Sequence, residues 1–226
     1  TRFRLRQADF SAAPAGAPWL GLPIADLSLV DGAFVIGSFL RRDHPLLAAR
    51  LRQAAKTGAK LHLLQATADK SLIPSAKTIV AAPSAWLDAL GGIAAAVSQL
   101  RGAALPEGLG GTEATAAAKD VAAALTNGER RVVLLGNGVV QHPDFARIHA
   151  LAHWIAEQTG ATLGFLTEAA NTVGAHLVGA LPGSGGLNAR EAFASPRKGY
   201  VLLNLEPEFD TANPAHALAA LGQAET

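Results

Sequence analysis

The sequence contains no cysteine in its 226 residues. Without thiolates the chain can form no disulfide, and it can hold no zinc ion or iron-sulfur cluster through cysteine ligands. Charged residues are only 16% of the chain, and 19 basic side chains balance 18 acidic ones to a formal net charge of +1. A protein that binds a phosphate backbone carries a clear basic excess, so we expect no nucleic acid among the partners.

Long apolar runs are also lacking. The alanine-rich runs Ile93 to Val97 and Val121 to Leu125 are far shorter than the roughly 20 residues that a membrane span needs, which predicts no direct membrane insertion. The chain begins at Thr1 without a signal-peptide pattern, and we interpret it as an excised cytoplasmic piece of a larger protein. Apolar residues nevertheless make up 50% of the chain, enough for the core of one large α/β domain or two small ones.

The common nucleotide-binding motifs are missing. In Gly136-Asn137-Gly138 the third glycine of a G-x-G-x-x-G fingerprint is replaced by Gln141, which argues against a NAD-binding Rossmann site. No G-x-x-x-x-G-K-[ST] loop occurs, and this excludes the ordinary ATPase and GTPase classes.

Hydrolase and metal motifs are missing as well. His149 and His153 are one helical turn apart but belong to no H-E-x-x-H pattern, and their helical positions predict that both face solvent. Ser184 lies between glycines without the G-x-S-x-G spacing of a nucleophile elbow, so we interpret it as a loop serine. We predict no catalytic residue and no metal site. The acidic residues near the carboxyl end are predicted to be solvated or to cap a helix: Glu206, Glu208 and Asp210.

Runs that suit buried strands alternate with stretches of helical periodicity. The alternation predicts an α/β fold: a doubly wound, mostly parallel sheet with helices on both faces. Residues 1–30 would lead into a domain over 31–226, with two β-α-β halves at 31–110 and 111–226 as an alternative division. The predicted strands are 33–36, 61–64, 78–81, 131–135, 161–166 and 200–205. Five helices are predicted. The first begins at Pro45 and ends before Gly58, the second covers 86–100, and the third follows a Thr112 cap. The fourth runs from Phe145 to Gly160, and the fifth begins at Asn213-Pro214.

Three segments share the plan of strand, loop, proline and helix, with prolines at Pro45, Pro143 and Pro214. Such loops lie where the carboxyl ends of parallel strands meet helix amino termini, and open α/β sheets bind anionic ligands there. The alternative is that glycine permits the turn, proline presets the first helical turn, and the preceding His or Asn caps it with no ligand. From the residues alone we favour this backbone interpretation.

The first of these segments, Val35-Ile36-Gly37-Ser38 with His44-Pro45-Leu46 and Arg50, resembles the molybdopterin oxidoreductases, the superfamily of formate dehydrogenase and dimethyl sulfoxide reductase. Later stretches resemble more specifically the G subunit, the large iron-sulfur subunit, of bacterial NADH-quinone oxidoreductases. The resemblance spans about residues 30 to 222. These stretches are 141–143, 156–160, 167–171, 185–189 and 200–210.

The resemblance implies a formate dehydrogenase/DMSO reductase-like domain in the large subunit of respiratory complex I. The parent enzyme passes electrons from NADH through iron-sulfur clusters to quinone. Those clusters would lie outside this chain, which would hold no cofactor and have no activity alone. The implied partners are other subunits of the peripheral arm, on the cytoplasmic side of the bacterial inner membrane.

Active molybdenum relatives hold a pterin dinucleotide with a Gly-Ser-Asn-Pro segment and an acidic residue after the second strand. Here Phe39-Leu40 replaces Asn-Pro, and Leu64-Gln65-Ala66-Thr67 stands where the acid is expected. A buried guanine or ribose would lack its polar partners, so we expect that the cofactor has been lost. The candidate positions of a vestigial pterin site are Gly37, Ser38, His44, Gly136, Asn137 and Gly138.

Two other functions stay open at this point. One is a domain of a formate dehydrogenase-like oxidoreductase that still binds a molybdopterin dinucleotide through these six residues. The other is a nicotinamide or thiamine-type nucleotide-binding module.

Overall fold

A five-stranded parallel sheet forms the centre of the computed structural model, which describes residues 16–110, 112–211 and 213–225. The strand order β3-β2-β1-β4-β5 confirms the predicted doubly wound α/β fold. The central strands pair in register from Gly32 with Arg131 to Ile36 with Leu135. The strands are β1 (Gly32–Ile36), β2 (Lys60–Gln65), β3 (Lys77–Val80), β4 (Arg131–Leu135) and β5 (Thr162–Phe165).

Helices cover both faces of the sheet because alternate strand residues point to opposite sides. Val35 packs in the core beneath α2, whereas Phe34 and Ile36 pack in the larger core with α3, α4 and α6. The long helices are α2 (Pro45–Lys56), α3 (Trp86–Arg101), α4 (Ala116–Thr126) and α6 (Phe145–Thr159). Short helices are α1 (Leu40–Asp43), α5 (Asn137–Val140), α7 (Thr172–Leu177), α8 (Ala189–Ala194), α9 (Pro207–Asp210) and α10 (Pro214–Leu221), with 3₁₀ turns at Ile24–Leu29 and Pro83–Ala85.

Several helix ends lie at residues that the sequence marked. Pro45 occupies the first helical position of α2, and Gly160 adopts the left-handed conformation that ends α6, with φ +68°. The prediction that Thr112 caps α4 is wrong. Thr115 does so, because it directly precedes the helix and its Oγ1 accepts a 3.1 Å hydrogen bond from the Ala118 N–H.

The predicted last strand, 200–205, is wrong. Val201 is 98% exposed and Leu203 is 90% exposed, and Asn204 bends the chain with φ +52°. The place beside β5 is already taken, since the Phe165 N–H donates a 2.9 Å hydrogen bond to the Trp19 carbonyl. The segment before β1 therefore covers the β5 edge of the sheet.

Two predicted loops contain helical structure. The predicted turn Gly136-Asn137-Gly138 opens the short helix α5, because the Val140 and Gln141 N–H groups donate back to Gly136 and Asn137. The loop-rich stretch 167–196 contains α7 and α8. Asn188 and Glu191 form a reciprocal capping box that stabilises α8.

The segment leading into the domain packs on it where it is described. Leu27 is fully buried in the core beside α2, and residues 1–15 lie outside the described part of the chain. The two suggested halves, 31–110 and 111–226, contain β1–β3 and β4–β5 of one continuous sheet. Their division into separate domains stays a prediction.

Candidate functional site

The carboxyl ends of β1 and β4 form the topological switch point of the sheet. From β1 the chain continues to β2 and β3 on one side, and from β4 it continues to β5 on the other. Open α/β sheets bind their ligands in the crevice at this point. The structure brings five of the six candidate residues to the two turns here, Gly37 and Ser38 after β1 and Gly136, Asn137 and Gly138 after β4, and His44 lies beside Asn137.

The glycines of these turns are in close contact with protein atoms. A Cβ added to Gly37, which has φ +64°, would lie 2.8 Å from two ring atoms of Trp86. A Cβ on Gly138 would lie 2.9 Å from the same ring and from the Gly37 carbonyl oxygen. A Cβ on Gly136 would collide with the Ser38 Cβ. The missing side chains therefore allow the two turns and Trp86 to pack together, as the backbone interpretation expects.

The two turns are also joined by backbone hydrogen bonds. The Gly136 N–H donates to the Ile36 carbonyl and the Gly138 N–H donates to the Gly37 carbonyl, both at 2.8 Å. A phosphate bound by a glycine-rich turn uses free N–H groups of this kind. These two N–H groups are already committed within the protein.

Trp86 is the residue that sequence reasoning missed. It begins α3, is only 3% exposed, and its indole N–H donates a 3.0 Å hydrogen bond to the Ala81 carbonyl. Its ring stacks on His142 with centroids 5.8 Å apart. The sequence indicated an apolar helix face at Trp86, but no local signal could show that this face reaches the turns of two distant strands.

His142 has a structural role beside Trp86. Its Nδ1 accepts a 3.0 Å hydrogen bond from the Asp144 N–H, which requires the proton to be on Nε2. Nε2 lies 3.0 Å from the Pro83 carbonyl oxygen and can donate to it. His142 therefore holds the start of α6 against the loop before α3, but it does not cap the helix as the backbone interpretation expected, because the N-cap is Asp144 and no side chain caps α6.

Polar side-chain atoms are buried next to the glycine turns. Ser38 is 2% exposed and Gln65 is 4% exposed, and the Gln65 Nε2 donates a 3.2 Å hydrogen bond to the Ser38 carbonyl. Beside these turns, Ser38 Oγ and Gln65 Oε1 are buried without a hydrogen-bond partner among the described residues, whereas the side chains of His44 and Asn137 lie together.

His44 is held in its neutral form. Burial lowers the pKa of His44 below its usual value, and the charge of Asp43 and the side chain of Asn137 offset this only in part. The imidazole therefore supplies no positive charge for a phosphate near pH 7. The side chain of His44 also does not cap α2, contrary to the backbone interpretation of the His-Pro pair.

The residues present do not fit a pterin dinucleotide. The Phe39 N–H at the start of α1 donates a 3.1 Å hydrogen bond to the Asp43 carboxylate, so this N–H group is committed and a negative charge lies beside it. Gln65 supplies a neutral amide after β2, and its donor is committed to Ser38. Trp86 fills the space that the glycines leave open.

The other histidines singled out by the sequence behave differently from each other. His153 is exposed as predicted, but His149 is half-buried because its ring stacks on Phe165 with centroids 5.7 Å apart. Burial lowers the pKa of His149, and the neighbouring His153 adds to this. Within the described ranges, no three His, Asp or Glu side chains form a group that could hold a metal ion.

The remaining candidates lie away from the switch point. Ser184 is exposed in the loop between α7 and α8. Asp210 accepts a 3.0 Å hydrogen bond from the Glu206 N–H at the start of α9, and Glu206 and Glu208 are exposed. Among residues 16–110, 112–211 and 213–225, no helix has both the length and the apolar character to cross a membrane.

Comparison with known proteins agrees with this architecture. A family model described as molybdopterin oxidoreductase matches residues 2–226. No curated protein matches the chain. Because the family model covers nearly the whole sequence, and the fold is the expected parallel α/β sheet, the chain belongs to the molybdopterin oxidoreductase family.

Proposed function

We propose that the chain is a non-catalytic scaffold domain of the iron-sulfur subunit of a bacterial NADH-quinone oxidoreductase. The parent complex I would transfer electrons from NADH through iron-sulfur clusters to quinone. Those clusters would be bound outside these residues, because the chain has no cysteine. The domain would lie in the peripheral arm, on the cytoplasmic side of the inner membrane.

The observation that carries this proposal is the packing of Trp86 against Gly37 and Gly138 at the switch point. In a family whose active members bind a pterin dinucleotide, this edge of the sheet would have to stay open. A buried indole, held by its bond to Ala81, occupies the space instead. A domain closed in this way can support neighbouring subunits without carrying out chemistry.

The distribution of exposed apolar side chains supports an assembly role. Of the sixteen large apolar side chains exposed among the described residues, nine lie between positions 177 and 218. Val178, Val201, Leu203 and Phe209 are each at least 80% exposed. Concentrations of exposed apolar surface mark interaction sites, and we assign this region to contacts within the peripheral arm.

A specific observation favours the alternative, a molybdopterin-dinucleotide-binding domain of a formate dehydrogenase-like oxidoreductase. Ser38 Oγ and Gln65 Oε1 are buried polar atoms without a partner among the described residues, as a polar ligand would require. The two functions differ in the reaction catalysed and in the metal content of the intact enzyme.

Purification from the native bacterium through a tag on this protein tests the proposal. We expect the tagged protein to be isolated with an assembly that oxidises NADH, reduces a quinone and contains iron without stoichiometric molybdenum or tungsten. An assembly that oxidises formate and contains one of these metals would replace the proposal with the alternative. An exposed-surface variant, Ser184→Ala, serves as a control because it should behave as the unmodified protein does.

The nucleotide-binding alternative has a separate test. Nicotinamide and thiamine nucleotides at millimolar concentration should leave the melting temperature unchanged, since a ligand that binds the folded state must stabilise it. A concentration-dependent increase would support the nucleotide-binding module.

A further inference from the structure

Two imidazole side chains, those of His149 and His153, lie next to each other on one face of α6. They are four positions apart, one helical turn, and their ring centroids are 6.3 Å apart. Histidines at this spacing bind one metal ion together in the H-E-x-x-H helix. The glutamate of that motif is absent here, but it serves as a general base and is not a metal ligand. The spacing of the two ligands is therefore complete.

Both imidazoles have ring nitrogens that are available for binding. Neither ring forms a hydrogen bond or an ion pair with a described residue, and neither has a buried nitrogen. His153 is exposed, and the half-buried His149 keeps its nitrogens at the surface. Other histidines differ: His62 and His142 are buried, and His176 has one nitrogen 2.8 Å from a backbone carbonyl oxygen.

The ring of His149 is already fixed in place. It stacks on Phe165 with centroids 5.7 Å apart, and it contacts Phe145 from the other end with centroids 5.9 Å apart. A fixed ligand loses little conformational entropy when it binds. The two coordinating nitrogens must come within about 3–4 Å of each other, because each lies about 2.0–2.1 Å from a bound zinc ion. Rotation of the exposed His153 ring meets this requirement.

The electrostatics of this face favour a cation over a proton. A metal ion binds only the neutral imidazole, so it competes with protons for each ring. Burial lowers the pKa of His149, and the neighbouring His153 adds to this, so His149 is neutral near pH 7. Glu157 lies one turn beyond His153 on the same face of the helix and adds a negative charge.

Imidazole ligands select the class of metal. They suit nickel, copper and zinc, whereas magnesium and calcium require oxygen ligands. Among the described residues no third His, Asp or Glu completes the group, so water would fill the remaining coordination positions. We propose that His149 and His153 together bind one divalent transition-metal ion of the nickel, copper and zinc class on α6. This site is separate from the switch point, and the inference does not rest on the proposed function.

Calorimetric titration of the untagged chain with nickel chloride at pH 7.5 tests the inference. We expect one ion to bind per chain. His149→Gln and His153→Gln should each weaken binding at least about tenfold, because the second imidazole no longer binds at a high effective concentration. His216→Gln is the matched control, since His216 is exposed and is the only histidine of α10, and it should leave binding unchanged.

No binding by the unmodified chain at millimolar nickel would overturn the inference. So would an equal loss in all three variants, or no loss in either α6 variant. If His149→Gln does not fold, His153→Gln remains decisive because its side chain is exposed.

Electron paramagnetic resonance of the chain with one equivalent of copper(II) provides a second measurement. Two coordinated imidazoles give nitrogen couplings from both rings, and we expect the spectrum of the unmodified chain to show them. His153→Gln should show coupling to fewer nitrogens, and His216→Gln should match the unmodified chain. A copper spectrum that His153→Gln leaves unchanged would overturn the inference, while the proposed function would stand.

Discussion

The substitution Gly37→Ala measures how tightly the switch point is packed. An alanine at φ +64° incurs a backbone cost of about 1–2 kcal/mol, because an L-residue is strained in the left-handed region. The new Cβ would also lie 2.8 Å from the Trp86 ring and 2.9 Å from the Val139 nitrogen. Neither neighbour can move easily, and overpacking of this kind costs about 1–3 kcal/mol. We therefore expect Gly37→Ala to lower the free energy of unfolding by about 2–5 kcal/mol.

Gly102→Ala is the matched control for this substitution. Gly102 has nearly the same backbone conformation, φ +68°, but a Cβ there would have no atom within 4 Å. It should lower the free energy of unfolding only by the backbone cost, about 1–2 kcal/mol. Urea denaturation of the two variants at neutral pH gives the difference. Equal losses for the two alanines would refute the reasoning, because they would mean that the space beside Gly37 is open.

Five further substitutions, one of them a control, test other parts of the account. Trp86→Ala should lower the free energy of unfolding by about 3–5 kcal/mol, and a loss below about 1 kcal/mol would show that the indole does not support the turns. His62→Leu should raise stability by about 1 kcal/mol, because both ring nitrogens of this buried residue lack partners. Burial, and then the charge of Lys77, lowers the pKa of His62 in the folded state. The stability that depends on a neutral His62 is therefore complete above the unfolded-state pKa of about 6.5 and is lost as pH falls through the folded-state pKa. Urea titrations at pH 7.5 and about 5.5 should show a smaller decrease in the free energy of unfolding for the leucine variant than for the unmodified protein, and an equal decrease would contradict this. The backbone N–H groups of Arg130 and Glu129 lower the pKa of Asp31 in the folded state. Asp31→Asn should therefore remove a small stabilisation, under about 1 kcal/mol after solvent screening, that is present above pH 3.8 and is lost as pH falls through the folded-state pKa. Melting curves that match those of the unmodified protein from pH 5 to about 2 would contradict this. Thr115→Ala should cost about 1 kcal/mol as a lost helix cap while Thr112→Ala costs almost nothing, and the reverse order in denaturation would reject the revised cap.

The central architecture could be predicted from the sequence because its signals are local. Strands such as β1 and β4 are continuous apolar runs, which in a sheet covered on both faces indicate buried parallel strands. Pro45 and Gly160 marked helix ends for backbone reasons that do not depend on the rest of the fold. The alternation of strands and helices along the chain was sufficient to predict the α/β fold class.

The segment 200–205 shows where a local signal fails. Its apolar composition suits a strand, but a strand needs a free neighbouring edge, and the Trp19 carbonyl already accepts the Phe165 N–H at the edge of β5. Competition for a sheet edge is a long-range property that apolar patterning does not report. For the same reason the prediction that His149 faces solvent was wrong, because Phe165 at the end of β5 stacks on its ring.

The position of the candidate site could be predicted from the sequence, but the side chains that pack there could not. The switch-point rule and the glycine turns correctly brought Ser38 and Asn137 to the same edge of the sheet. The role of Trp86 depends on how α3 packs across the turns, which follows from tertiary structure alone. The Asp43 carboxylate at the Phe39 N–H likewise required the structure, although the two residues are close in sequence.

The most direct test of a closed pterin site is the metal and pterin content of the protein after gentle purification from its native cells. Molybdenum and tungsten are measured by mass spectrometry, and oxidised pterin by its fluorescence. A site filled by Trp86 predicts that both stay far below one equivalent per chain. One equivalent of either metal, together with the fluorescent pterin, would contradict the account.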